Sequence, residues 1–339
     1  MASGDRDYIL LDHGSGGRAT HRLIREIFYS AFEASGEGFL DSAILGTHSG
    51  PLAFTTDSFV VDPIFFPGGD LGSLAVHGTV NDLAMVGARP LYLACGFILE
   101  EGLPLADLKR IVLSMARAAE EIGVKIVCGD TKVVPKGKGD RIFITTTGMG
   151  EILADPYPHP RRIEPGDEIL VSGPIGEHGL AVLSARESLP LKGLRSDSAP
   201  VWPLVEALLK ALGPAVHALR DPTRGGLATT VNELAQEAKV EIELLESEIP
   251  VRAEVRGGCE ILGLDPLYLA CEGRFVAMVA RGKGEEALQV LKELPGGHEA
   301  RLIGQVRNQT DRPLVILKTA IGGERILPVL TGEPLPRIC

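Results

Sequence analysis

Residues 72–88 read "GSLAVHGTVNDLAMVGA", an apolar run of helix length with one carboxylate, Asp82, set into it. A buried carboxylate is costly unless it is paired, hydrogen-bonded or beside a cation. The stretch therefore predicts a core helix, with Asp70 or Ser73 available as its cap, and calls for a partner for its acid. Both flanks read as extended. "LAFTTDSFVV" (52–61) is rich in β-branched and aromatic residues, and "LYLACGFILE" (91–100) is a buried strand. Working outward, "THRLIREIFYSAFEA" (20–34) places Leu23, Ile24, Ile27, Phe28 and Phe32 on one helical face. "PLADLKRIVLSMARAAEEIG" (104–123) is the clearest amphipathic helix, followed by strands at 125–134 and 141–152 around the turn "PKGKGD". Helices and strands mixed in this way predict an α/β (mixed α+β) fold.

The composition shifts at "ADPYPHPRRIEPGD" (154–167), where four prolines disfavour regular structure, and a domain boundary is expected there. This divides the chain into an N-terminal domain (1–153), a C-terminal domain (154–330) and a short tail (331–339). The second domain repeats the mixed pattern. Strands are expected at 168–173, 240–246, 274–280, 300–306 and 313–319, and helices at 179–188, 201–212, 225–239 and 285–294. No fixed-period repeat is present. The tail, "TGEPLPRIC", is stiffened by Pro334 and Pro336 and ends in Cys339.

With 45% hydrophobic and 23% charged residues, the 339-residue chain can bury sizeable cores. Its formal charge of −11, with no basic run, argues against nucleic acid or an anionic membrane as partner. No signal peptide or membrane-length apolar run is read, so the cytoplasm is the expected location. The five cysteines form no C-x-x-C pair, which excludes a zinc knot or thioredoxin-like couple. Cys95, Cys128, Cys259 and Cys271 lie in apolar contexts and are expected in cores. Cys339 has nothing after it to bury it.

Several segments place Asp or Gly where α/β proteins build sites. In "DHGSGGR" (12–18), successive glycines allow a backbone anion nest, although no G-K-[ST] follows to make a Walker A loop. Asp57, Asp82, Asp130 and Asp221 all border apolar segments. Singly each reads as a cap or turn residue; together they suit oxygen ligands for Mg²⁺, which prefers a few carboxylates plus substrate phosphates. Lys132 follows Asp130 by two positions and so shares its strand face, either at a site or as a plain surface ion pair. Glu272 in "CEG" reads as a half-buried proton acceptor or as a turn residue paired with Arg274. His13 and His77 are read more readily as core hydrogen-bonders than as catalysts.

Taken in order, "DHGSGGR", "TTDSFVV", "HGTVNDLAMVGA", "GDTKVV", "DPTRGGL", "CEG" and terminal "PRIC" resemble the HypE family of hydrogenase maturation proteins across nearly the whole chain. "DPTRGGL" with "PRIC" is the specific part; "NDLAMVGA" and "GDT" alone are shared with the wider PurM-like group of ATP-using, AIR synthase-related enzymes. The resemblance implies a PurM-like two-domain fold, with the N-terminal domain forming a shared β-barrel across a homodimer and the C-terminal domain a layered α/β unit. It implies ATP-dependent dehydration of an S-carboxamide on Cys339 to a thiocyanate, which supplies cyanide for the iron of [NiFe] hydrogenase. Implied cofactors are ATP, near Gly14, Gly16, Gly17, Asn81, Thr131, Arg224 and Gly225, and Mg²⁺ on Asp57, Asp82, Asp130 and Asp221. Glu272 is implied as proton acceptor and Lys132 as electrostatic stabiliser. Implied partners are the carbamoyltransferase HypF and the iron-carrying HypC–HypD complex. A selenophosphate synthetase would want a reactive Cys or selenocysteine with a nearby Lys in the glycine-rich segment, which has neither. A thiamine-phosphate kinase would have no use for the terminal cysteine, and a passive carrier would not need the acids and glycines.

Overall fold

The computed structural model describes residues 7–32, 42–48, 50–189, 191–329 and 338. Cys339, most of the tail and the end of the first expected helix lie outside the described residues. That first helix runs from α1 (Arg18–Leu23) through a π-helical stretch (Ile24–Tyr29) into α2 (Ser30–Phe32). β1 (Leu52–Phe59) and a short hairpin of β2 (Phe65–Phe66) and β3 (Gly69–Asp70) lead into α3 (Leu71–Met85). Asp70 caps α3, accepting from the Gly72 and Ser73 amides, while the Ser73 hydroxyl engages the Asp70 backbone in return. The helix stops short of the expected residue 88 because Gly87, at φ +71°, turns the chain into β4 (Ala88–Glu100). Then come α4 (Leu105–Ile122), β5 (Lys125–Val134) and β6 (Ile142–Ile152).

The first sheet has the order β1-β6-β4-β5, antiparallel except for the parallel β4–β5 pair. One face is covered by α3, which α4 backs through Leu108, Ile111, Val112 and Met115. On β1 the covered positions include Thr55, Asp57 and Phe59, whereas Leu52, Phe54, Thr56 and Ser58 point to the open face. Cys128 departs from expectation. "KIVC" is apolar, but β5 is an outer strand of this sheet and Cys128 is exposed on it.

The second sheet is built from β7 (Glu168–Val171), β8 (Val216–Arg220), β9 (Val240–Leu245), β10 (Val276–Val279), β11 (Arg301–Gln309), β12 (Leu314–Lys318) and β13 (Glu324–Ile326), in the order β13-β12-β9-β11-β7-β10-β8. Its helices are α5 (Glu177–Arg186), α6 (Trp202–Leu212), α7 (Gly226–Ala238), α8 (Ala253–Leu262) and α9 (Gly284–Lys292). Strand alternation divides the core. Ile169, Val171, Val276 and Met278 pack towards α7, whereas Leu170, Ala277 and Val279 pack towards α6 and α9. The unit is therefore layered, with helices on both sheet faces. Elements absent from the sequence reading are the hairpin, β8, β13 and α8, the last of which carries two mid-helix glycines that weaken its helical pattern.

α3 is shared by the whole molecule. Its Leu74, Val76 and Val80 belong to the core under the first sheet, to which α5 contributes Leu180 and Val182, while Ala84 and Met85 join the core of α6. The α3–α4 approach depends on Gly72, where an added Cβ would lie 2.2 Å from the Ile111 carbonyl oxygen. Among the described residues no helix is long and apolar enough to cross a membrane. Gly72→Ala is expected to destabilise the protein by about 1–3 kcal/mol or more through overpacking, read as a lower denaturant midpoint at unchanged slope.

Candidate active site

Three acids converge where α3 faces the second domain. Asp57 comes from the covered face of β1, Asp82 from α3, and Asp221 from the turn that follows β8. The Thr55 hydroxyl donates to Asp82 Oδ2 at 2.9 Å, and the Ser58 amide to Asp57 Oδ1 at 2.8 Å. Glu272, only 3% exposed, faces the same group from the segment before β10, and its Oε1 has no hydrogen-bond partner. Arg220 and Arg224 supply the nearby positive charge.

Burial raises every carboxyl in this group, and repulsion adds to it at Asp82, Asp221 and Glu272. Burial raises Asp57, against the Ser58 amide and Arg224. Asp82 is raised by burial and by Asp57, and Asp221 is pushed up to about 7 by burial and by Asp82. Glu272 is driven well above the usual carboxylate range by burial, then by Asp221 and Asp197. Such a cluster lacks positive charge and fits a cation by its chemistry. Yet among the described residues no three His, Cys, Asp or Glu side chains come together closely enough to hold a metal by themselves. A partial carboxylate set completed by substrate phosphates is the arrangement Mg²⁺ ordinarily takes.

Asp130, Thr131, Lys132 and the glycine loop form a second group that a single chain keeps apart from the first. Asp130 and Lys132 are paired in register with Gly96 and Ile98, on the open sheet face. Asp57 lies on the covered face, three strands away by the pairings Asp57–Thr146, Thr146–Cys95 and Cys95–Gly129, or about 14 Å at ordinary strand spacing. Lys132 Nζ sits 2.9 Å from Asp130 Oδ2 with both side chains 68% exposed, and that contact holds the Asp130 carboxyl below its ordinary value. The Thr131 amide donates to Asp130 Oδ1. The "DHGSGG" turn lies against this strand, so closely that a Cβ on Gly14 would meet Val133 Cβ at 2.8 Å; Gly16 adopts φ +78° and Gly17 caps α1.

The Asn81 amide is engaged by the second domain. Both its amide hydrogens are committed, to the Ala199 and Glu272 carbonyls at 3.0 and 3.1 Å, and its oxygen accepts from the Val201 amide at 2.9 Å. Gly225 caps α7 in a left-handed conformation, and Arg224 beside it is exposed. His13 accepts from the Leu10 amide, and buried His77 bonds Ser198, as the bland reading of both has it. Glu272 does not pair with Arg274, which bonds Glu177 at 3.1 Å and lies 3.7 Å from Asp197. Sequence reasoning missed Asp197, a buried acid in "LRSDSAP" that accepts from the Glu272 amide at 3.3 Å. It also missed His178, whose ring is buried and held neutral, with its pKa down to about 4. Nothing in their local sequence marks either.

This two-domain mixed α/β arrangement is that of the AIR synthase-related enzymes. Residues 40–152 match the family described as AIR synthase related protein, N-terminal domain, and residues 164–315 its C-terminal domain. Carbamoyl dehydratase HypE of Cupriavidus necator is 52% identical over 332 residues, covering 97% of this chain and 94% of that protein. HypE of Escherichia coli (strain K12) is 48% identical over 338 residues, covering 98% and 99%. The crystal structure of hydrogenase maturation protein HypE in complex with ATP superposes with a TM-score of 0.93 at 53% identity, covering 97% of this chain and 99% of that one. A HypE–HypF complex matches at TM-score 0.79 and 46% identity, covering 91% and 99%. Thiamine monophosphate kinase of Aquifex aeolicus, at 21% identity and TM-score 0.58 over 81% and 88%, shares the fold. The chain belongs to the HypE carbamoyl dehydratase family.

The acid cluster predicts a pH dependence. Folded Asp221 keeps its proton to about 7, whereas the unfolded chain releases it near 3.8. Between those values the folded state binds more protons, so stability falls as pH rises and the penalty is complete above about 7. In chelated buffer, Asp221→Asn is expected to melt higher than wild type at pH 8, with the difference shrinking towards pH 5. A gain equal at both pH values would contradict the assignment.

Proposed function

We propose that the chain dehydrates an S-carboxamide carried on Cys339 to a thiocyanate, using ATP, and so supplies cyanide for the iron of [NiFe] hydrogenase. The observation that carries this reading is Glu272, a buried carboxyl with an unpartnered oxygen beside three aspartates, in a chain 53% identical to a HypE bound to ATP. The Cys339 thiolate accepts the carbamoyl group. The amide oxygen is phosphorylated by the γ-phosphate of ATP, and the C–O bond then breaks with loss of phosphate. The two nitrogen-bound protons leave, and R–S–C≡N, ADP and phosphate remain. Glu272 is the acceptor of one of these protons. Burial, and after it repulsion from the neighbouring acids, favours protonated Glu272; neutralising the charge on Asp57, Asp82 and Asp221 removes the second of these, lowers its pKa and favours the carboxylate as a base. Mg²⁺, when bound, neutralises phosphate charge; Asp57, Asp82 and Asp221 would hold it in this chain.

Asp130, Thr131, Lys132 and the loop of Gly14, Gly16 and Gly17 reach the reaction from a second copy in this reading, and Arg224 and Gly225 border the nucleotide from the α7 end. β1 and β5 are the outer strands of the first sheet, and Leu52, Phe54 and Ile98 are exposed at 46%, 74% and 44%. An apolar open face of that kind favours closure into a dimeric barrel. We also infer a division of labour at residue 153/154, cytoplasmic location, carbamoyl supply from HypF, and delivery to the HypC–HypD complex.

The test is the intact mass of protein charged by HypF. The Cys339 adduct is expected to lose the mass of one water only with Mg-ATP, and Glu272→Gln to charge normally but dehydrate at least about 100-fold more slowly. An adduct that forms and never changes would make the chain a passive carrier.

A further inference from the structure

One tail residue is described, and it is docked. Ile338 is 7% exposed and joins the apolar core that contains Leu180, Leu194 and Leu269. Its carbonyl oxygen is hydrogen-bonded to His178 Nε2. His178 lies in the first turn of α5, fully buried, with the Phe66 ring set edge-on at 5.4 Å between centroids. Its other nitrogen, Nδ1, is 2.8 Å from Ser196 Oγ.

The proton positions on this chain of bonds follow from its chemistry. A carbonyl oxygen only accepts, so His178 Nε2 donates. In a neutral imidazole Nδ1 then accepts, so the Ser196 hydroxyl donates to it. Ser196 Oγ in turn accepts from the Ser198 amide at 3.0 Å. Each group has one role, so the ring is fixed in tautomer and direction.

The loop carrying this chain is pinned on all sides. The Ser196 amide donates to the Pro67 carbonyl at 2.7 Å, Asp197 Oδ1 accepts from the Glu272 amide at 3.3 Å, and Ser198 Oγ lies 3.0 Å from His77 Nδ1. The same three-residue loop thus contacts the His178 ring at one residue and the Glu272 backbone at the next.

We propose that His178, oriented by Ser196, is a positioning residue that latches the tail by the Ile338 carbonyl while the Ile338 side chain fills the adjoining apolar core. Cys339 follows by a single peptide unit, its Cα about 3.8 Å from that of Ile338, so the latch sets its distance from the loop that holds Glu272. The ligand recognised is the chain's own tail: one apolar side chain and one backbone carbonyl. This proposal rests on the reading of Cys339 as the reacting thiol. It is tested on uncharged protein without ATP, so its failure is separate from failure of the dehydration step.

The experiment is the rate of iodoacetamide alkylation at Cys339, followed by peptide mass, with the same thiol in protein unfolded by denaturant as reference. Wild type is expected to react about 10-fold or more slowly than Ile338→Gly, which removes the anchor from the tail alone. His178→Leu leaves a buried carbonyl without a donor and is expected to approach the Ile338→Gly rate at an unchanged melting temperature. His178→Gln, whose amide N–H can still donate, should keep most of the protection. Should His178→Leu fail to fold, Ser196→Ala decides: it keeps the ring but frees its tautomer, and is expected to raise the rate by a smaller factor. Equal rates in wild type and Ile338→Gly would overturn the latch. Full protection in a folded His178→Leu, or in Ser196→Ala when that variant decides, would overturn the part given to His178 and leave apolar burial of Ile338 as the whole cause.

Discussion

The amide of Asn81 is the interaction on which the arrangement of the site depends. It projects from a core helix and satisfies three backbone groups of the second domain, at Ala199, Val201 and Glu272. Without it, the Ala199 carbonyl and the Val201 amide would lose this partner, each at a cost of about 1–3 kcal/mol, and the Glu272 carbonyl would keep only a 3.5 Å bond from the Ala199 amide. Asp82 is the next residue on α3. The same turn of helix therefore fixes the second domain and presents an acid to it, and the spacing between Asp82 and Glu272 is set by a hydrogen-bonded contact rather than by loop packing. Apolar contacts between α3 and the cores on either side supply the burial, and the amide supplies the register.

The acid cluster works against this stability. Asp57, Asp82, Asp221 and Glu272 are all raised above their ordinary values, which means that the fold holds them in a position they resist. Arg220 and Arg224 offset only part of the repulsion. Functional sites are where such strain is kept. A cation with phosphate ligands would relieve it, and the relief is also what would allow Glu272 to ionise. Binding and activation of the base are then one electrostatic event.

Much of this was legible in the sequence. The apolar run around Asp82 and the β-branched strand before it give elements close to those observed, because periodicity is a local property. Asp57, Asp82, Asp221 and Glu272 were legible for a related reason: an acid beside an apolar run needs an explanation. Asp197 and His178 were not, since a polar loop and a helix start look the same whether buried or not. Asn81 was read as a neighbour of the nucleotide because a motif shows which residue is present and not what its hydrogen bonds reach. The separation of Asp130 and Lys132 from the other acids was likewise hidden, because strand order and face are set by long-range pairing. Cys128 looked like a core residue because nothing in "KIVC" shows that its strand lies at a sheet edge.

The cysteines show how these parts constrain one another. Burial raises the Cys95 thiol to about 12 and Cys259 to about 11, and drives Cys271 well above the ordinary value. A thiol is nucleophilic as the thiolate, so these three are protected by the same packing that forms the cores. Cys128 is not, for it is exposed on β5, in register with Ala94 on the open sheet face. A lone chain therefore exposes a thiol, Cys128, that the proposed chemistry does not use. In the reading above, a second copy on the open face would cover that thiol and bring Asp130 and Lys132 to the reaction. Selectivity for Cys339 and completion of the site would then have the same physical cause, the burial of an apolar sheet face that a single chain leaves exposed.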